Sequence, residues 1–381
     1  MANVSDYIKN YGNISFNEKP FCDEDNVAMC MSFYMPLDKV VSPSFDEEPK
    51  TFGMASRELF ALRGSKHKPV GLVLVKEISR LLMDMAARKR FAEVKVVACT
   101  DNFNKKPAVQ FNAGTFLLPN GDIVVLFRGT DDTLTGWKED VDMLASDNGI
   151  PSEQLSVDYL AEVAKRYDGD IIVCGHSKGG YVAQYAVLNS PKEIRDRVKL
   201  LYNNDGPGFK NYDYLDSDVY KEMLPRYKHL IPQSSFIGMM MMHDDDYTVV
   251  KSNGLIGPLQ HDLRTWQFKD DKLITCKDVS AVGKVTDLVF HDLIRSLSEE
   301  QIDAVETAVG EIFEATGQRG LLDVKENLVE AFKGGLLAAR GLDDETKAVL
   351  KDTAKSAGKY IKDATQTVRS GGFKSVKERR E

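Results

Sequence analysis

The sequence predicts an α/β fold in which a mostly parallel sheet carries helices on both faces. Short apolar runs alternate with amphipathic stretches from about residue 94 to residue 242. Strands that alternate with helices form parallel sheets through right-handed crossovers. The run Ile123–Phe127 is apolar at every position, which is typical of a strand buried on both faces. The run Ile171–Cys174 leads directly into a glycine-rich turn and then into a helical stretch.

Length and composition indicate one large core with an appendage. The chain has 381 residues, of which 43% are hydrophobic and 28% charged, an ordinary balance for a globular protein. The formal net charge of -8 argues against a nucleic-acid-binding protein, because no overall positive field attracts phosphates. We predict a main domain over residues 1–300 and a helical C-terminal extension over residues 301–381.

Cysteine usage and the N-terminus predict a cytoplasmic protein. The five cysteines are widely spaced and odd in number, unlike a secreted disulfide scaffold, and no zinc-type pair occurs. The first residues lack the charged and apolar regions of a signal peptide. The longest apolar run, Phe236–Met242, is too short to span a bilayer. We predict no cofactor and no metal.

The first half of the chain predicts short helices followed by three strands. Residues 1–70 are interrupted by Pro and Gly, with apolar runs at 27–35 and 60–62 that favour short helices. Apolar positions recur with helical spacing between residues 70 and 90. The strands are predicted at Val94–Cys99, at Ala108–Leu118 and at Ile123–Phe127.

The second half continues the alternation and then becomes helical. Helices are predicted at Ser156–Tyr167 and Gly179–Leu188, and strands at Ile171–Cys174, Leu200–Tyr202 and Ser235–Met242. Beyond about residue 295 two further helices are predicted, one opened by a capping box at Ser298 and Gln301 and one over Leu322–Phe332. Residues 340–381 hold 11 basic and 7 acidic side chains. They suit a solvated helical tail, or peripheral contact with an anionic membrane or a partner.

The turn Gly175–Gly180, with sequence Gly-His-Ser-Lys-Gly-Gly, follows a strand and precedes a helix. A serine hydroxyl needs a base to remove its proton and backbone N–H groups to stabilise the oxyanion that it creates. A sharp strand-to-helix turn exposes the serine at the top of the sheet, and small residues on either side allow the close passage. We therefore predict Ser177 as a nucleophile and an α/β-hydrolase fold.

Several blocks of the chain resemble the class 3, or fungal-type, lipases. Val125–Thr130 reads as an apolar strand that ends in Arg-Gly-Thr, and Gly136–Asp140 supplies a Trp and an Asp shortly afterwards. With the serine turn, the segment Asn204–Phe209 and Gln260–Asp262, the chain is similar to a bacterial lipase-like branch whose substrates are largely undefined. The resemblance covers roughly residues 1–300.

The resemblance implies an oxyanion hole. The backbone N–H of Thr130, together with its hydroxyl, and the backbone N–H of Lys178 would be the donors. Class 3 lipases usually have an apolar residue where Lys178 stands. Lys178 therefore either favours a polar or anionic substrate, or points into solvent or pairs with a local acid.

The hydrolase order of nucleophile, acid and base requires a histidine after Ser177. His261 follows the last predicted strand and matches the resemblance, so we predict it as the base, ahead of His229, His243 and His291. Two positions compete for the acid. Asp246 belongs to the run 244–246 after the predicted strand Ser235–Met242, where class 3 lipases place theirs, and Asp205 follows the preceding strand.

These residues predict a serine hydrolase that cleaves carboxylic esters, such as an esterase, lipase or lysophospholipase, through an acyl-serine intermediate. An amidase or peptidase is the alternative within the same chemistry, and a non-catalytic binding module is the alternative outside it. The methionines at 239–242 are expected in a core strand, with an acyl-pocket lining as the second interpretation.

Overall fold

An eight-stranded sheet lies at the centre of the computed structural model, and its strands follow one another in sequence order. Neighbours are antiparallel from the first strand to the fourth and parallel from the fourth to the eighth. The strands are β1 (Lys50–Thr51), β2 (Lys95–Lys105), β3 (Ala108–Leu117), β4 (Ile123–Phe127), β5 (Ile171–His176), β6 (Val198–Asn204), β7 (Tyr227–Pro232) and β8 (Tyr247–Val250). The prediction of an α/β fold is confirmed, with four of the seven strand pairs parallel.

The structure describes residues 2–63, 75–131, 133–145, 149–244, 246–255, 257–296 and 344–374, together with a few single positions between 298 and 379. The capping box predicted at Ser298 and Gln301 is present, because the backbone N–H of each residue donates to the side chain of the other. The rest of the two helices predicted between residues 297 and 343 lies almost entirely outside this part. The domain boundary at residue 300 stays a prediction for the same reason.

Helices precede, connect and follow the strands. The N-terminal helices are α1 (Val4–Tyr11), α2 (Asp23–Ser32), α3 (Phe52–Arg63), α4 (Val75–Ala86) and α5 (Lys89–Ala92). The connecting helices are α6 (Leu134–Ala145), α7 (Pro151–Arg166), α8 (Lys178–Leu188), α9 (Lys192–Arg197), α10 (Asp213–Asp216), α11 (Asp218–Met223) and α12 (Gly257–Gln260). A small hairpin, β9 (Phe268–Lys269) and β10 (Lys272–Leu273), precedes α13 (Ala281–Ser296) and α14 (Asp344–Arg369).

The sheet is buried on both faces, as the apolar run of β4 predicts. Val124 and Leu126 belong to the core formed with the N-terminal helices. The alternate residues Ile123, Val125 and Phe127 belong to the core formed with α7 and α8. Because side chains alternate across a strand, a strand that is apolar throughout contributes to two cores.

A buried ion pair holds the N-terminal segment together. The guanidinium of Arg90 contacts the Asp25 carboxylate at 2.5 and 2.7 Å, and neither side chain is exposed to solvent. The remaining guanidinium N–H groups donate to carbonyls of residues 14–20. The charge is thus fully hydrogen-bonded, as a buried ion requires. The ion pair fixes the first turn of α2, and Tyr34, which reaches the site, lies just after the other end of this helix.

The predicted strand Ser235–Met242 is wrong. This segment consists mainly of turns and bends, with one isolated antiparallel bridge between Met242 and Phe209. The two strands that complete the sheet are β7 and β8. Met241 has a φ of +66°, a left-handed conformation that interrupts a strand. The Gly238 N–H donates to a carboxylate instead of to a neighbouring strand. Apolar content alone does not distinguish such a segment from a buried strand.

The C-terminal helix packs against α13. Beyond it, Arg379 donates two 2.9 Å hydrogen bonds to the carboxylate of Asp287 on α13. Across the described ranges, we find no helix that is both long enough and apolar enough to cross a membrane. Peripheral membrane contact by the C-terminal helices, and a cytoplasmic location, stay predictions.

Candidate active site

Ser177 occupies the sharp turn between β5 and α8. Its φ of +59° and ψ of −133° lie outside the regions that L-residues prefer. Such strain persists only where the surrounding structure enforces it, and it often marks a functional site. A Cβ on Gly175 would lie 1.9 Å from the Gly179 carbonyl oxygen, so the turn tolerates no side chain there. The strand, turn and helix predicted around Ser177 are present.

The imidazole of His261 is hydrogen-bonded to Asp205. The distance from His261 Nδ1 to Asp205 Oδ2 is 2.8 Å. Asp205 follows β6 directly and its side chain is fully buried. Its other oxygen, Oδ1, accepts from the Ser235 hydroxyl and from the Gly238 N–H. These donors fix the carboxylate, so it can orient the imidazole and stabilise an imidazolium.

The structure does not bring Asp246 to His261. Asp246 is exposed, and its backbone N–H donates to the side chain of Asp244. The expectation for Asp246 placed it directly after a strand at 235–242, but that segment is not a strand and Asp246 lies just before β8. Of the two candidate acids, Asp205 is the one in contact with the predicted base.

His176 is a site residue that the sequence reasoning did not identify. Its ring stacks on that of His261, with centroids 4.4 Å apart, and its Nε2 lies 2.9 Å from the His261 carbonyl oxygen. Its Nδ1 lies 2.7 Å from the Tyr34 hydroxyl. Burial, with the nearby His261, holds the pKa of His176 well below its usual value, so the ring is neutral. In the sequence, the position of His176 next to Ser177 was the one indication of this role. Its partner Tyr34 is too distant in sequence to have been recognised.

Thr130 lies in the loop that follows β4, close to the serine turn. A Cβ on the preceding Gly129 would lie 2.9 Å from the Cβ of Ser177, so the two segments pass closely. The Thr130 hydroxyl lies 2.7 Å from each oxygen of Asp140 and donates to that carboxylate. Burial raises the pKa of Asp140 to about 6, against the opposing effects of Lys178 and Thr130. Because the Thr130 hydroxyl already donates to Asp140, the backbone N–H is the donor of Thr130 that can bind an oxyanion.

The ammonium of Lys178 is buried and uses all three of its N–H groups. It donates to Glu139 Oε2 at 2.7 Å and to the backbone and side-chain oxygens of Gln110 at 2.8 and 2.9 Å. The Lys178 side chain is 2% exposed and that of Glu139 is 0% exposed. Of the alternatives for Lys178, pairing with a local acid is the one found. The alternative that Lys178 favours a polar or anionic substrate stays a prediction, and this geometry leaves no N–H of the ammonium to bind one.

A cavity of about 150 Å³ lies over the serine turn. Its polar lining includes Thr130, Ser177 and His261, and thus brings together the predicted nucleophile, base and oxyanion residue. Apolar side chains from α6 and from the segment 207–240 supply the rest of the lining. A larger and more open depression of about 530 Å³ lies near Lys39 and Leu62, and none of the predicted site residues lines it.

His229 and His243 lie outside this cavity's lining. His229 is buried in β7, and burial, with His243 nearby, lowers its pKa to about 3, so it stays neutral. His243 Nε2 lies 3.5 Å from Asp287. Within the described ranges, no three His, Cys, Asp or Glu side chains are grouped so as to hold a metal ion.

Comparisons with known proteins place the chain in a family. No curated protein matches the chain. No solved structure matches it either. A family model described as Mbeg1-like matches residues 85–314, a span that includes Thr130, Ser177, Asp205 and His261. The chain therefore belongs to the Mbeg1-like family.

Proposed function

We propose that this protein is a serine hydrolase of the α/β-hydrolase fold that cleaves carboxylic esters through an acyl-serine intermediate. The observation that carries the proposal is the 2.8 Å bond between His261 and Asp205 beside a cavity that Ser177 and His261 both line. Membership of the Mbeg1-like family suggests a lipase-like hydrolase. The resemblance of Val125–Thr130 and the serine turn to class 3 lipases supports the finer assignment.

In the proposed mechanism, Ser177 Oγ attacks the ester carbonyl carbon as His261 takes its proton. Asp205 accepts the Nδ1–H of His261, so Nε2 is the nitrogen that receives this proton. Asp205 stays ionised and stabilises the imidazolium. The same proton then passes to the leaving alcohol as the carbon–oxygen bond breaks. Water, deprotonated by His261, hydrolyses the acyl-serine.

The oxyanion of each tetrahedral intermediate is assigned to two backbone donors. These are the N–H groups of Thr130 and Lys178, the second of which lies at the N-terminus of α8. The positive end of the helix dipole adds to this stabilisation. Because the Lys178 ammonium is bonded to Glu139 and Gln110, Lys178 contributes through its backbone and not through its charge.

Covalent labelling tests the proposed nucleophile directly. We expect a fluorophosphonate probe to add one phosphonyl group to the full-length protein, and Ser177→Ala to abolish both labelling and p-nitrophenyl ester hydrolysis. Ser356→Ala, a matched change on α14, should leave both unchanged. Undiminished hydrolysis by Ser177→Ala would contradict the proposal.

Two alternative functions predict different results in the same assays. An amidase or peptidase would be labelled at Ser177 but would turn over matched amides faster than esters. A non-catalytic binding module would resist the probe and hydrolyse neither. Comparing ester and amide substrates that share one acyl group separates the three functions.

A further inference from the structure

The cavity beside Ser177 is small for a lipid-binding site. Its volume is about 150 Å³, whereas pockets that enclose drug-sized ligands span about 300 to 1,000 Å³. An apolar cavity of about 150 Å³ in another protein is filled by one benzene molecule. The space over the serine turn therefore matches about six carbon atoms, far fewer than the acyl chain of a membrane lipid.

Two elements supply most of the apolar lining of the cavity, and Pro207 after β6 adds to it. Helix α6 contributes Val141 and Leu144, and the irregular segment after β7 contributes Ile237 and Met240. The backbone of Met240 is fixed, because its carbonyl accepts from the Gly208 N–H and its own N–H donates to the Ile237 carbonyl. The Met240 side chain, in contrast, is unbranched and flexible. Met143 on α6 is the other methionine in the lining, but it is buried in the core whereas Met240 is partly exposed, so truncating Met240 should enlarge the cavity with less disturbance of the core.

The charges around the cavity disfavour an anionic acyl group. The one ammonium in the described lining, that of Lys178, is fully hydrogen-bonded to other residues. The one carboxylate in that lining, Asp140, would repel a second negative charge when ionised. A carboxylate on the substrate would lose its hydration without gaining a partner, which is costly in an apolar cavity.

From these observations we infer that the site selects esters of short, uncharged, apolar acids with about four to six carbons, and that Met240 limits the acyl length. The inference rests on the proposed hydrolase function. It assigns the acyl group and leaves the alcohol part of the ester open.

A series of p-nitrophenyl esters from acetate to laurate tests the length limit. We expect kcat/KM to be highest at butyrate or hexanoate and to fall at least about tenfold by laurate, since one methylene that does not fit costs about tenfold or more. Met240→Ala should move the optimum to octanoate and raise kcat/KM for that ester about tenfold over wild type. Met83→Ala, at an exposed methionine on α4, is the matched control and should keep the wild-type profile.

A second comparison tests the charge preference. p-Nitrophenyl butyrate and p-nitrophenyl hemisuccinate differ mainly by a terminal carboxylate, and we expect kcat/KM for the butyrate to be about 100-fold higher. Equal rates for the two esters would overturn the uncharged assignment. Rates for laurate equal to those for butyrate, both lost in Ser177→Ala, would overturn the length limit while the hydrolase function stood.

Phosphonylation separates failure of this inference from failure of the function. Alkyl phosphonofluoridates with butyl to dodecyl chains should modify Ser177, as read by intact mass, fastest with the short chains. If none of them reacts and no ester is turned over, the proposed function itself is wrong and the acyl assignment falls with it.

Discussion

His176 holds the backbone of His261 through a hydrogen bond whose direction follows from chemistry. The carbonyl of His261 accepts only, so His176 Nε2, 2.9 Å away, carries the proton. The Nδ1 of the neutral ring is then an acceptor, and the Tyr34 hydroxyl, at 2.7 Å, is its donor. A chain of hydrogen bonds thus runs from Tyr34, just after α2, through His176 in the serine turn to the predicted base.

We expect His176→Phe to lower kcat/KM about 10- to 100-fold, because misplacing a base by about 1 Å costs about 100-fold. Phenylalanine preserves a ring beside His261 but leaves the buried Tyr34 hydroxyl without its acceptor, at a cost of about 1 to 3 kcal/mol in the free energy of unfolding. The double variant Tyr34→Phe/His176→Phe removes that stranded hydroxyl. It should recover stability in urea titrations but not activity. Recovery of both would mean that His176 is only structural.

Exchanging single carboxylates identifies the acid. We expect Asp205→Asn to lower kcat by about 10⁴-fold, as loss of the acid does in a serine protease. Asparagine keeps an oxygen to accept from Ser235 and Gly238, so circular dichroism should show an unchanged fold. Asp246→Asn, the matched exchange at the exposed candidate, should stay within about twofold of wild type. The reverse pattern would make Asp246 the acid.

The buried pair of Lys178 and Glu139 should show strong coupling in stability. Lys178→Met leaves the Glu139 carboxylate buried without its counter-charge, and we expect a loss of about 3 to 5 kcal/mol in the free energy of unfolding. Adding Glu139→Gln removes the stranded charge and should restore much of that loss. Urea titration of the two single variants and the double variant measures the coupling. Additive losses would show that the two side chains do not act as a pair.

How much of the site could be predicted depends on the sequence distance over which each part forms. The turn around Ser177 is local, because a buried run, a glycine-rich turn and a helical stretch lie within about 20 residues. The same holds for β4 and β5, whose continuous apolar character already indicates burial on both faces. Local patterns of this kind determine the element and the position of its exposed end.

Contacts between distant segments could not be predicted in this way. Asp205 and His261 are 56 residues apart, and the choice between Asp205 and Asp246 required a distance that no spacing supplies. Glu139, the partner of Lys178, is 39 residues away in the sequence. The sequence alone was therefore equally consistent with an ammonium that contacts the substrate. The prediction of a strand at Ser235–Met242 was wrong for a related reason. Asp205 binds the Gly238 N–H and thereby helps to hold as a bend a segment that periodicity predicts as a strand.

The ionisation of Asp140 should lower the free energy of unfolding as pH rises from about 4 to about 6. Its pKa of about 6 in the folded protein exceeds the value of about 3.9 expected in the unfolded chain. Below pH 4 the carboxyl is protonated in both states. Between the two pKa values the folded state binds more protons, so each increase in pH favours unfolding. The contribution of Asp140 to the free energy of unfolding therefore decreases as pH rises to the pKa of Asp140 in the folded protein, and it is constant above that pKa.

We therefore expect Asp140→Asn to remove this part of the pH dependence. The difference in unfolding free energy between variant and wild type should grow in favour of the variant from pH 4 to pH 7. Two pKa units correspond to about 3 kcal/mol, and the change should be smaller because 20% of the Asp140 side chain is exposed. Urea titrations of both proteins at several pH values measure it, and subtraction cancels the other carboxyls. A difference that is independent of pH would mean that Asp140 ionises as an ordinary surface carboxyl does.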